Sequence, residues 1–174
     1  MRTMTDSVAR SLNALTEADA RAELLNCCAS SRWADAMIAA RPFASDAELF
    51  NAAERSWWAL DRADWLEAFA AHPRIGNGVA AGPGHAATRE WSRQEQGRAA
   101  TASPDVRAAL AAGNAEYERR FGHVFLICAT GRPADEILAE LRRRLENDPA
   151  EELREAAGEQ AKVTRLRLAR LAAP

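Results

Sequence analysis

The stretch His72-Pro73-Arg74-Ile75-Gly76 places an imidazole directly after an apolar, helix-forming run. With an ordinary pKa of about 6.5, histidine exchanges protons near neutral pH and suits general acid–base chemistry. Proline fixes its own φ and pushes the residue before it out of helical geometry, so His72 is expected to close the preceding helix and project from its end. A histidine there can equally serve as a C-terminal cap on the helix dipole, a purely structural role.

A second group is Ser92-Arg93-Gln94-Glu95-Gln96-Gly97. Ser92 and Glu95 are one helical turn apart and Gln96 lies four residues after Ser92, so a hydroxyl, a carboxylate and an amide share one face beside Trp91. Such a face can converge on a polar ligand; a solvated polar face is the plainer reading. The third group runs from Asn114 to Ala129, where an amphipathic helix ends at Gly122 and feeds an apolar, non-helical stretch. Extended backbone there would leave peptide groups unpaired by helix and available to a polar ligand, whereas the structural alternative is a core element.

Other chemistries find less support. His72, His85 and His123 have neither His-x-x-x-His spacing nor a Cys-x-x-Cys partner, so no metal site is expected. Gly76-Asn77-Gly78 follows no strand and lacks the Gly-Lys-Ser/Thr end of a phosphate loop. Arg142, Arg143, Arg144, Arg165, Arg167 and Arg170 could form a basic stripe for nucleic acid. Glu140, Glu146, Glu151, Glu152, Glu155 and Glu159 interleave with or flank them, and a salt-bridged helical surface is expected instead.

The elements that must position these groups are helices. Apolar residues recur at helical spacing almost throughout the 174 residues, so the chain reads as all-α, a single domain of about eight helices with one short irregular or extended segment near 121–131. Thr16 with Glu17 and Asp19 marks a helix running to about Ala29; Ser31 caps a second through Ala40, before Pro42; Ser45 with Asp46 and Glu48 opens a third. A fourth covers about Ala63 to Ala71. Gly76 to Gly84 reads as a connection and a candidate lid. Helices then follow from about Ala86 to Ala100, from Ser103-Pro104-Asp105 towards Arg120, from Pro133 to Asn147 and from Asp148-Pro149 to about Ala172.

Charge and cysteine content narrow the setting. Twenty-three basic and 25 acidic side chains give a formal net charge of −2, with no global field to recruit nucleic acid or an anionic membrane. Residues 1–10 lack the apolar core of a signal peptide, and the longest apolar run, Val124 to Ala129, is far shorter than the roughly 20 residues that cross a bilayer. Cys27, Cys28 and Cys128 are odd in number and fit a reducing compartment, with Cys128 read as a small core residue; a soluble, cytoplasmic protein is expected.

Taken in order, the motifs resemble the 2-oxo-4-hydroxy-4-carboxy-5-ureidoimidazoline (OHCU) decarboxylases of urate-to-allantoin degradation. RPF at 41–43, HPRIG at 72–76, SRQEQ at 92–96, NAEYERRFGHVFLICATG at 114–131, LRRRLEND at 141–148 and KVTRLRL at 162–168 follow that family's order and spacing over essentially the whole chain. The resemblance implies that His72 is catalytic, with Glu95 as the carboxylate that orients the imidazole and tunes its protonation. It also implies substrate contacts from Pro73 through its backbone, from Ser92 and Gln96, from the backbone of Phe125, Leu126, Ile127, Cys128 and Ala129, and from Arg167. An all-helical bundle, a homodimer, OHCU as the small-molecule substrate, and no metal or organic cofactor complete the implications. The expected reaction is decarboxylation of OHCU to (S)-allantoin and CO2; the alternative is a helical binding or scaffold protein in which the same motifs are packing devices.

Overall fold

The computed structural model describes residues 7–76 and 86–172. Among them are nine α-helices, one 3-10 turn and no strand, as the helical spacing of apolar residues predicts. The helices are α1 (Val8–Ala14), α2 (Glu17–Cys27), α3 (Ser31–Ala39), α4 (Asp46–Trp58), α5 (Arg62–Ala70), α6 (Ala86–Glu95), α7 (Pro104–Phe121), α8 (Ala134–Arg144) and α9 (Pro149–Arg170), with the 3-10 turn at Ala99–Thr101. No helix among the described residues is long and apolar enough to cross a membrane. The chain groups into two compact units, one drawn from Met1–Ala68 with Ala161–Pro174 and the other Phe69–Gln160.

In the first unit, four helices begin on a hydroxyl. Ser7, Thr16, Ser30 and Ser45 accept from the N–H groups of Arg10, Asp19, Trp33 and Glu48. Each bond satisfies a first-turn donor that has no intrahelical partner, a contribution of about 1 kcal/mol. The second expected helix is capped by Ser30 rather than Ser31, because Ser31 directs its N–H and Oγ to the Glu67 carboxylate at 3.0 and 2.7 Å. Helix α1 has no counterpart among the sequence expectations, since seven residues are too few to display a periodic stripe. Its start is secured from afar: Asp46 accepts from Ser7 Oγ at 2.6 Å and from the Ala9 N–H at 2.9 Å. The RPF motif is a clasp on the end of α1. Arg41 Nη2 donates to the Asn13 and Leu15 carbonyls, and the Asn13 amide both donates to and accepts from the Phe43 backbone. Trp33, Met37, Leu49 and Trp57 are buried, and Trp33 Nε1 donates to the Ala53 carbonyl at 3.0 Å.

In the second unit, α7 starts on Ser103 with Pro104 in its first turn and stops at Gly122, whose φ of +78° is the left-handed conformation glycine adopts at helix ends. It packs on α8 at Gly113, where an added Cβ would stand 2.6 Å from Leu141 Cδ2. Ile75, Leu110, Tyr117, Phe121, Ile137 and Leu141 lie in the core of this unit.

After Gly122 the backbone is irregular up to the turn before α8, and Phe125, Leu126, Ile127 and Ala129 are buried. A buried non-helical strip needs partners for its peptide groups. Arg144 supplies one, and here the expected salt-bridged surface is corrected: Arg144 is completely buried. Its Nη1 donates to the Leu126 carbonyl at 2.6 Å and its Nε to Glu152 at 2.8 Å, and the guanidinium stands 4.8 Å from the Phe125 ring centroid. Tyr117 Oη also donates to Glu152. The neighbouring Arg143 does lie at the surface, paired with Glu140 and Glu155.

Candidate active site

Helix α5 ends at Ala70, and the His72 N–H donates to the Phe69 carbonyl at 3.1 Å, the helix end that Pro73 requires. The imidazole does more than cap that end. Its Nε2 lies 2.6 Å from Oε1 of Gln160 on α9, a side-chain partner 88 residues along the chain.

The residues after His72 are tied to a single row of α7. Arg74 makes two hydrogen bonds to the Glu118 carboxylate, at 2.6 and 2.8 Å. The Ile75 carbonyl accepts from Asn114 Nδ2 at 2.9 Å. Gly76, at φ +88°, lies against Leu110, whose Cδ1 would be 3.2 Å from an added Cβ. Leu110, Asn114 and Glu118 are four residues apart, so they form one ridge on which HPRIG is laid. The hydrogen bond and charge of Arg74 hold the Glu118 carboxyl below its usual range. Most of the expected loop from Gly76 to Gly84, like His85, lies outside the described residues.

On α6, Ser92 and Glu95 are buried, at 3% and 9% exposure, while Arg93 and Gln94 between them are exposed. The helix turns a hydroxyl and a carboxylate inward at the spacing read from sequence. Gln96 is half-buried, and its N–H donates to the Ser92 carbonyl at 3.1 Å. Pro73 is also half-buried.

Several peptide groups of the 125–129 strip already have protein partners. Besides Leu126, the Cys128 N–H donates to Glu159 Oε2 at 2.7 Å and the Ala129 carbonyl accepts from the Arg132 N–H at 3.0 Å. A ligand on this strip must meet the other peptide groups or replace Glu159. Cys128 itself is half-buried and not the core residue expected.

Glu159 and Gln160 are the side chains that sequence reasoning missed. Glu159 reads there as an acid flanking a basic stripe, yet both are buried, at 8% and 0% exposure, and adjacent on α9. Their sole sequence signal is position, just ahead of KVTRLRL.

Arg167 belongs to the first unit, where it is 3% exposed and its Nη1 donates to the Asn26 carbonyl at 3.4 Å. In the same unit, burial pushes the Cys28 thiol up to about 12 and raises Cys27 as well, so neither is a nucleophile at neutral pH. His123 sits among Phe69, Tyr117 and Phe121, with ring centroids 5.3, 5.4 and 6.3 Å away. Among the described residues no three His, Cys, Asp or Glu side chains are grouped so as to hold a metal ion.

The chain is thus a helical protein in which an imidazole meets a buried amide and a second helix buries a hydroxyl and a carboxylate, residue types that can exchange protons with a polar molecule. The chain belongs to the OHCU decarboxylase family, whose sequence profile matches residues 13–169. The uric acid degradation bifunctional protein TTL of Arabidopsis thaliana is 40% identical over 149 residues, which are 83% of this chain and 45% of that protein. The 2-oxo-4-hydroxy-4-carboxy-5-ureidoimidazoline decarboxylase of Mus musculus is 40% identical over 79 residues, 44% of each chain. A crystal structure of an OHCU decarboxylase in the presence of (S)-allantoin is 37% identical, with a TM-score of 0.75 over 88% of this chain and 99% of that one. The crystal structure of an (S)-allantoin synthase, 17% identical, shares the fold, with a TM-score of 0.67 over 92% of this chain and 52% of its own. The chain spans less than half the length of these curated relatives.

Proposed function

We propose that this protein decarboxylates OHCU to (S)-allantoin and CO2 in urate degradation, with His72 and Glu95 handling protons. The observation that carries this reading is the burial of Ser92 and Glu95 on one helix face, in the same unit as the partly buried His72, in a chain whose motifs follow the family's order.

The chemistry explains the residue types. The substrate carries its carboxylate on a hydroxylated ring carbon next to a carbon doubly bonded to nitrogen. When the bond to the carboxylate breaks, its electron pair passes to the adjacent carbon and onto that nitrogen, so the substrate supplies its own electron sink. That nitrogen takes up a proton; loss of the hydroxyl proton then gives the ring carbonyl, and a proton delivered to the adjacent carbon completes allantoin, with one proton taken up overall. The protein must hold the ring, stabilise developing negative charge and deliver the proton to one face. His72 exchanges the proton, and Glu95 orients and tunes it. Ser92 and Gln96 hold the ring and ureido groups, while the backbone of Pro73 and of Phe125 to Ala129, with Arg167, binds the remaining polar edge. We place the reaction in the cytoplasm and in a homodimer, with no metal or organic cofactor.

The test is addition of purified protein to freshly generated OHCU. Faster loss of OHCU and optically active allantoin are expected, and His72→Asn should keep the helical circular dichroism signal while losing activity by at least about a hundredfold. An unchanged rate with racemic product would favour a helical binding or scaffold protein. A fully active His72→Asn would refute the catalytic assignment alone.

A further inference from the structure

Gln160 is completely buried, and its Oε1 is 2.6 Å from His72 Nε2. A carbonyl oxygen only accepts, so a ring nitrogen at that distance must carry the hydrogen. A neutral imidazole has one N–H, which leaves the lone pair on Nδ1. We propose that Gln160 is a positioning residue that holds His72 in the Nε2–H form and makes Nδ1 the nitrogen that exchanges the proton, with substrate directly or through Glu95. This rests on the reading of His72 as catalytic.

Two features of α9 suit that role. First, the amide is carried on a helix that is also fixed one residue earlier, where Glu159 holds the Cys128 N–H at 2.7 Å. The same turn of helix therefore carries a partner for the imidazole and one for the 125–129 strip. Second, the acceptor is neutral. A carboxylate against Nε2 would favour the imidazolium and hold its proton, whereas an amide carbonyl fixes the tautomer and leaves the ring able both to take a proton and to return it. That matches a reaction in which one proton leaves a hydroxyl and one arrives at carbon. An amide turned the other way would donate its N–H to Nε2 and impose the opposite tautomer, so the two arrangements differ in an observable property.

The experiment is long-range proton–nitrogen NMR on the full chain labelled with 15N-histidine, at neutral pH and without substrate, with the His72 signals identified by their loss in His72→Asn. The wild type should show His72 protonated on Nε2. Gln160→Met, close in shape but without an acceptor, should show a mixture of tautomers, with kcat lowered on the order of tenfold and KM within about threefold of wild type. Gln160→Glu should shift His72 towards the imidazolium, protonated on both nitrogens, and a ring left neutral in that variant would count against the contact. A wild-type ring protonated on Nδ1, or a Gln160→Met variant with unaltered tautomer and kcat, would overturn the proposal, and the wild-type spectrum decides even if Gln160→Met does not fold. Because the tautomer is read without turnover, an active His72→Asn would sink the catalytic reading while leaving the tautomer result to stand or fall separately.

Discussion

Arg144 shows how one side chain can make a buried stretch of irregular backbone tolerable. Its guanidinium reaches the Leu126 carbonyl and Glu152 where neither charge meets water, and an uncompensated ion there is costly. Burial works against the cation, but the hydrogen bond and charge of Glu152, with Tyr117, outweigh it and leave the guanidinium more basic than usual. Arg144→Met is expected to strand Glu152 and lower stability by about 3–5 kcal/mol in urea unfolding. Arg144→Met/Glu152→Leu should recover much of that loss, because no buried charge is left alone; a double variant as unstable as the single would show that lost packing is the cause. Arg167 is tested by Arg167→Lys, which keeps the cation and removes the planar fork. KM should rise about tenfold, equivalent to about 1.4 kcal/mol of binding, with little change in unfolding midpoint. Normal saturation kinetics would remove Arg167 from the substrate contacts. The helix end at His72 and the shared inward face of Ser92 and Glu95 were legible in sequence, because each stands at a marked spacing or beside a proline. Glu159 and Gln160 were not, since they lie in a helix crowded with charges and their burial comes from partners 31 and 88 positions away.

Among elements, what is local is what could be read. Thr16, Ser45 and Ser103 announce their helices because a cap bonds an N–H only three residues on. The irregular strip after Gly122 was visible as a break in apolar periodicity. Helix α1 is the counter-example, since the carboxylate at its start comes from α4. That dependence gives a pH test. The Ser7 hydroxyl and the α1 N–H groups hold the Asp46 carboxyl below its usual range. A carboxyl with a lowered folded-state pKa stabilises the fold above its unfolded value of about 3.9, and that contribution is lost as pH falls through the folded value. Asp46→Ala should therefore lose about 1 kcal/mol at neutral pH, with the gap to wild type narrowing below about pH 4. A gap in urea-unfolding free energy that stays constant with pH would mean that charge at Asp46 contributes nothing.

At the scale of the whole molecule, the two compact units do not meet at linkers. Their boundaries, between Ala68 and Phe69 and between Gln160 and Ala161, fall inside α5 (Arg62–Ala70) and α9 (Pro149–Arg170). Domains are ordinarily joined by exposed Pro-, Gly- or polar-rich segments, and none lies at either boundary. Melting one unit alone would shorten α5 only by Phe69 and Ala70, but it would require α9 to stop in mid-run. That new end would expose backbone groups that the helix had paired, without a cap prepared for them. We therefore propose that the chain unfolds as one domain. Scanning calorimetry of the full chain should give a single transition whose calorimetric and van't Hoff enthalpies agree. Two resolved transitions, or a calorimetric enthalpy well above the van't Hoff value, would assign two domains that unfold separately despite the helices that run through their boundaries.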